Sequence, residues 1–363
     1  MASQSSQYVI LTALLVFCAW MLTASVAQSD APLGPPHRVL TLNPKIGIHT
    51  RLTDEVEAAK IRRTMEMVRE MGAQWIVEYF PWAYIEPLPG LYDWKHADLV
   101  VNHAVHQGLT LVARLGMVPQ WARPPESTSA FLSEEHYADF ARFVGNFAGH
   151  FREQVRYIII WNEPNLALEW GFRPVSPAEY THLLRISYQE AKAANPQVQV
   201  LAGALAPTLA PSGNEWGMND LDYLRGMLDA GAAQYFDMLA VHAYGWSYPP
   251  DMSPDPQVIN FRRVELLRRV LAEHSAADKP IIITEGGWND HPRWIHAVKP
   301  AQRIEYTIRA YQLAEQWDWC KAAILWVFRY PWPTKSYLDY YTFVTPNFDP
   351  KPIYLEVRRY AVP

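Results

Sequence analysis

The feature that most narrows the folding choices is a series of eight short apolar segments: "KIGIHT" (45–50), "QWIVEYF" (74–80), "LTLVARL" (109–115), "RYIIIWN" (156–162), "VQVLAGA" (198–204), "DMLAVHAY" (237–244), "PIIITEG" (280–286) and "AAILWVF" (322–328). Most are nearly unbroken Val, Ile and Leu instead of alternating apolar and polar residues, as parallel strands covered on both faces require. Stretches with helical spacing separate them. After Thr53-Asp54, "EVEAAKIRRTMEMVREMG" places Ile61, Met65, Val68 and Met71 three or four apart and stops at Gly72. Ser133 introduces a helix striped by Tyr137, Phe140, Phe143, Val144 and Phe147. Ser176 and Pro177 suit a cap and a first turn.

Successive strands start about 30–47 residues apart, room for a strand, a crossover helix and two loops each time. Eight such units without a change of composition predict an α/β fold, a single closed (β/α)8 TIM barrel over residues 45–363. An open doubly wound sheet is the alternative; it is disfavoured because no G-x-G-x-x-G turn follows the first strand. Half of the 363 residues are hydrophobic and 19% are charged, enough for one large core.

The N-terminal part reads differently. Residues 8–27 carry no charge and end in Ser25-Val26-Ala27, which predicts a cleaved signal peptide (1–27) and export, or an uncleaved membrane anchor. The Pro-rich residues 28–44 read as a linker. Of two cysteines, Cys18 falls in the export segment, leaving Cys320 as a buried apolar residue with no partner for a disulfide. A net charge of −5 without a run of Lys or Arg argues against nucleic acid as a partner.

In a closed barrel the functional groups gather at the C-terminal ends of the strands. Those ends supply His49, then Tyr79, Phe80 and Trp82, then Arg114, Asn162 with Glu163, His242 with Tyr244, Glu285, and Trp326 with Arg329. Glu163 and Glu285 come from the fourth and seventh strands, on opposite sides of the opening. Such a pair suits cleavage of a glycosidic bond, with one carboxyl as acid and the other as nucleophile. Tyr244 and His242 are expected to donate to one ionised carboxylate, and Trp326 to offer an apolar floor to a sugar ring.

"WNEPN" after the fourth strand, "HAY" after the sixth, "ITEGGW" after the seventh and a Trp on the eighth together resemble the retaining glycoside hydrolases of clan A, with its cellulase-like and β-xylosidase-like families. The resemblance spans roughly residues 45–360. It implies Glu163 as acid/base, Glu285 as nucleophile, Asn162 as the group binding the sugar 2-hydroxyl and Tyr244 as the donor to the nucleophile. It also implies a β-linked polysaccharide, oligosaccharide or glycoside as the carbohydrate substrate. One departure concerns the cellulase-like pattern, which has an Arg ending the second strand and a His ending the third. Here "EYFPW" and Arg114 stand in those places.

Other readings are tested by what the strand ends lack. A metal-dependent barrel hydrolase needs paired histidines, and "GIHTR" has one, so neither metal nor cofactor is expected. A non-catalytic sugar-binding barrel would be expected to lack one of the carboxylates, whereas a transglycosylase would share this site. Glu78 and Glu86 have no counterpart across the ring and are set aside, Glu78 as a group that could orient Arg114. Pro89-Gly90 suits a type II turn. Trp121, Trp170, Trp246, Trp288 and Trp332 are candidates for sugar-stacking surfaces or loop bridges.

Overall fold

Each apolar run coincides with a strand to within two or three residues at either end: β1 (Ile46–His49), β2 (Trp75–Pro81), β3 (Thr110–Gly116), β4 (Tyr157–Ile160), β5 (Gln199–Leu205), β6 (Met238–Tyr244), β7 (Ile281–Gly287) and β8 (Cys320–Leu325). In this computed structural model, which describes residues 33–363, the strands pair in parallel in chain order. β8 then pairs with β1, closing the barrel. The signal or anchor segment lies outside the described residues.

Successive side chains on a strand point to opposite faces, so each strand feeds two cores. Trp75, Val77, Val112, Ile159, Met238, Ala240, Ile282 and Ile324 fill the barrel interior. Ile76, Leu111, Ile158, Leu239 and Ile283 face outward under the helices. Both sets are buried, which explains why the runs do not alternate.

Helix ends match expectation in part. Ser176 caps the helix Pro177–Ala194 by accepting from the Glu179 amide at 3.2 Å. Gly72, at φ +83°, follows the helix Ala58–Glu70. That helix starts later than Thr53-Asp54 suggests. Thr53 instead donates to the Tyr79 carbonyl, so its hydroxyl pins a loop. Ser133 precedes a 3-10 turn (Glu134–His136) and only then the helix Tyr137–His150. Pro89-Gly90 does form its turn, with Gly90 at φ +75° and the Leu91 amide bonded to the Leu88 carbonyl at 3.0 Å.

The last part of the Pro-rich stretch is anchored to the barrel instead of hanging free as a linker. The His37 amide bonds to the His106 carbonyl and the Leu42 amide to that of Ala361, each at 2.7 Å. Buried Asn43 donates to the Tyr311 carbonyl at 3.1 Å. Ala361 closes the helix Pro352–Ala361. These residues gather at the end of the barrel where the strands begin, opposite the opening.

One irregularity aims a functional side chain. Between β6 and β7 the register runs Val241 with Ile283, then His242 with Glu285, skipping Thr284. Ile282 points inward and Ile283 outward, so strict alternation would turn Thr284 in and Glu285 out. The bulge at Thr284 resets the parity and brings Glu285 inward beside His242.

Candidate active site

β4 ends at Ile160, and Trp161 and Glu163 follow with φ of +74° and +41°. Both angles are unusual for residues with side chains and mark a sharp bend that must be held from outside. Buried Asn165 is the clamp. Its amide nitrogen donates to the Ala206 carbonyl at 2.8 Å, and its oxygen accepts from the Ala206 amide at 3.0 Å. The Glu163 amide bonds to the Ala204 carbonyl at 3.1 Å. Pro164 therefore ends the ladder, and β5 holds the loop in its place. Asn165→Ala leaves those backbone groups unpaired and is expected to cost about 2–3 kcal/mol in urea unfolding. An unchanged midpoint would contradict the clamp.

The structure brings Glu163 and Glu285 together across the opening. His242 Nδ1 lies 2.7 Å from one Glu163 oxygen and 3.7 Å from one Glu285 oxygen. Those two oxygens are thus at most about 6.4 Å apart, close enough for two carboxyls to flank one glycosidic bond. The other Glu163 oxygen has no hydrogen-bond partner among the described residues.

Glu285 is buried and held on both oxygens. The Tyr244 hydroxyl donates to Oε2 at 2.9 Å, and the Arg114 guanidinium donates to Oε1. Burial opposes ionisation of Glu285, but the charges of His242 and Arg114 and the Tyr244 hydrogen bond hold its carboxyl well below the usual carboxylate range. Burial and the neighbouring Glu285 charge push the Tyr244 phenol far up, so it stays a donor. For His242, burial disfavours the imidazolium, and the Glu285 and Glu163 carboxylates more than offset it, raising its pKa.

The expectation that His242 and Tyr244 serve the same carboxylate is corrected. Tyr244 bonds Glu285, whereas His242 bonds Glu163, because β6 places the ring between the two acids. Replacing Tyr244 by Phe removes a donor that favours the charged form, so the Glu285 pKa rises. The acid limb of kcat/KM is expected to move up by about one pH unit. A limb that stays in place would contradict that role for Tyr244.

Asn162 lies between two charged groups. Its Oδ1 accepts from Arg114 at 2.8 Å, and its Nδ2 donates to Glu169 at 3.2 Å. Trp326 follows β8 and meets His49 edge-on, with ring centroids 4.6 Å apart. His49 itself is buried, with neither ring nitrogen hydrogen-bonded to protein. Burial and the Arg114 charge press its pKa well down, leaving a neutral imidazole 3.8 Å from Glu285.

The strand-end reading placed Arg114 and His49 at the mouth, each as a charged or polar residue closing an apolar run, but gave neither a role at the two acids. Glu169 had no such signal, because only the folded loop brings it back to Asn162. Glu78 does not orient Arg114. It accepts from Thr50 Oγ1 at 2.6 Å and the Leu52 amide at 2.8 Å, fastening the loop after β1. Glu86 braces its own turn, accepting from Trp82 Nε1 at 2.6 Å and the Gly90 amide at 2.7 Å.

Of the five tryptophans considered, Trp170 and Trp288 are fully buried core residues. Trp121 donates to the Glu86 carbonyl, bridging loops, and Trp246 stacks on His296. Trp332 is 76% exposed, as is Trp216, not singled out from sequence, at 65%. Cys320 is buried as expected, and burial pushes its thiol up to about 12.

Among solved structures, the barrel matches a family 39 glycoside hydrolase from the gut symbiont Bacteroides cellulosilyticus WH2 with a TM-score of 0.71 and 20% identity, over 88% of this chain. The likeness is one of fold, a closed (β/α)8 barrel. A monomeric β-xylosidase from Caulobacter crescentus CB15 matches with a TM-score of 0.62 and 18% identity, over 88% of this chain and 69% of its own. An exo-β-1,4-mannosidase from Opitutaceae bacterium strain TAV5 matches at 0.61 and 16%, over 87% and 59%. The chain spans 63% of the length of the Bacteroides enzyme. No protein-family model and no curated protein matches the sequence.

Proposed function

We propose that the chain is a retaining β-glycosidase that cleaves a β-linked oligosaccharide, polysaccharide or glycoside, with Glu285 as nucleophile and Glu163 as acid/base. The observation that carries this reading is the single His242 nitrogen 2.7 Å from Glu163 and 3.7 Å from Glu285. It sets an upper bound of about 6.4 Å on the separation of those two oxygens, below the roughly 6.5–9.5 Å that admits a water in inverting enzymes and compatible with the roughly 5–5.5 Å of retaining ones.

In the first step a Glu285 oxygen attacks the anomeric carbon. The glycosidic C–O bond breaks as Glu163 gives its proton to the departing oxygen. The product is a glycosyl ester of Glu285. In the second step Glu163, now a carboxylate, takes a proton from water as that water attacks the same carbon and frees Glu285. The environments suit this division of labour. Glu285, pinned by Arg114 and Tyr244, is kept ionised, while Glu163 has an oxygen free to face a leaving group. Asn162, with its amide orientation fixed by Arg114 and Glu169, is assigned to the sugar 2-hydroxyl, and Trp326 to the ring face.

A panel of aryl β-glycosides, with the anomer of the first product followed by proton NMR, tests the proposal. Release of the β-anomer before mutarotation is the expected result. Release of the α-anomer would replace double displacement with a single one.

A further inference from the structure

Asn162 also borders a cavity of about 330 Å³ that Glu163, Glu285 and His242 do not line. Tyr79, Gly116, Thr128, Ser129 and Glu169 form much of its wall. The cavity is large enough for a sugar ring. It is also built: the Glu169 backbone is fixed by the buried Trp161 indole, which donates to its carbonyl at 2.7 Å. Arg114 lies over the Tyr79 ring, 5.0 Å from its centroid. Gly116 leaves space for the Tyr79 hydroxyl, since a Cβ there would come within 3.1 Å of it.

Its chemistry is that of a polyol site. One Glu169 oxygen accepts from Asn162, and the other has no hydrogen-bond partner among the described residues. A carboxylate accepts from neighbouring hydroxyls and repels a second carboxylate. The hydroxyls of Tyr79, Thr128 and Ser129 add groups that donate or accept. Burial and the charge of Glu163 raise the Glu169 pKa, and Asn162 and Arg114 oppose that rise.

We propose that this cavity is a second sugar subsite, contiguous through Asn162 with the one between the two catalytic acids, and that Glu169 makes it selective for a neutral hexose or pentose unit over a uronic acid. The inference rests on the glycosidase reading for the first sugar, and adds to it a residue that decides which second unit is accepted.

Calorimetric binding to the full chain carrying Glu285→Gln tests it without cleavage of the ligand. The probes are cellobiose, xylobiose, mannobiose and the uronic acid made from cellobiose by oxidising one C6 hydroxymethyl group. At least one neutral disaccharide is expected to bind about 30-fold or more tightly than the uronic acid. Adding Glu169→Gln, which keeps an oxygen for Asn162, is expected to narrow that gap to about threefold. Ala130→Trp, on the partly exposed rim of the cavity, is expected to weaken neutral binding about tenfold. Failure of every neutral disaccharide to bind, or an unchanged gap in Glu169→Gln, would overturn the proposal. Hydrolysis abolished by Glu285→Gln with an unchanged gap sinks the subsite alone. Hydrolysis that survives Glu285→Gln beside the expected selectivity sinks the glycosidase reading alone.

Discussion

Glu285→Gln is expected to lower kcat on the best aryl β-glycoside by about 10⁴-fold or more, with the circular dichroism spectrum retained. The amide oxygen still accepts from Arg114 and the amide NH2 can donate to the Tyr244 hydroxyl oxygen, so the side chain keeps its place, but it cannot form the glycosyl ester. The complementary variant reads the second step. In Glu163→Ala, a substrate with a good leaving group still glycosylates Glu285, since little proton assistance is needed, and the intermediate then persists. Azide needs no general base and fits where the carboxyl was removed. It is expected to restore turnover by about 10²-fold and yield a β-glycosyl azide. An α-azide, or no response to azide, would assign the two acids wrongly.

Arg114→Leu is expected to be nearly as damaging, and for a different reason. Arg114 and Glu285 are both buried, and removing one member of such a pair leaves a charge without compensation, at about 3–5 kcal/mol. The Glu285 pKa then rises, because burial is opposed by one charge fewer. In the parent, the depressed pKa contributes stability that is present above the unfolded value of about 4.3 and fades as pH falls toward the folded one. The loss in Arg114→Leu should therefore be largest near pH 7 and shrink on acidification. kcat/KM should fall by about 10²–10³-fold, with its acid limb displaced to higher pH. Urea unfolding at several pH values, beside pH–rate profiles, checks both. A stability loss independent of pH would mean that Arg114 acts by packing alone.

The barrel was legible because each strand is covered on both sides, which writes itself into sequence as an unbroken apolar run. Glu163 and Glu285 were legible as a pair, because two carboxylates closing apolar runs on opposite sides of a ring can face each other over its opening. Their aim was not. Glu285 faces inward only through the bulge at Thr284, and nothing in "PIIITEG" marks a skipped residue. Glu163 points as it does because Asn165, two residues on, is gripped by Ala206 of another loop. Glu169 escaped notice because its proximity to Asn162 depends on how the loop from 161 to 170 folds back. The tryptophans show the same limit: Trp170 and Trp216 look alike as letters, yet one is core and the other surface.

The bond between Leu42 and Ala361 has a practical outcome for anyone wishing to display this protein. Both ends of the folded part emerge together on the side remote from the opening between Glu163 and Glu285. A chain fixed to a bead or a bilayer through either of them would turn the face that carries Glu163 and Glu285 to the medium, away from the support.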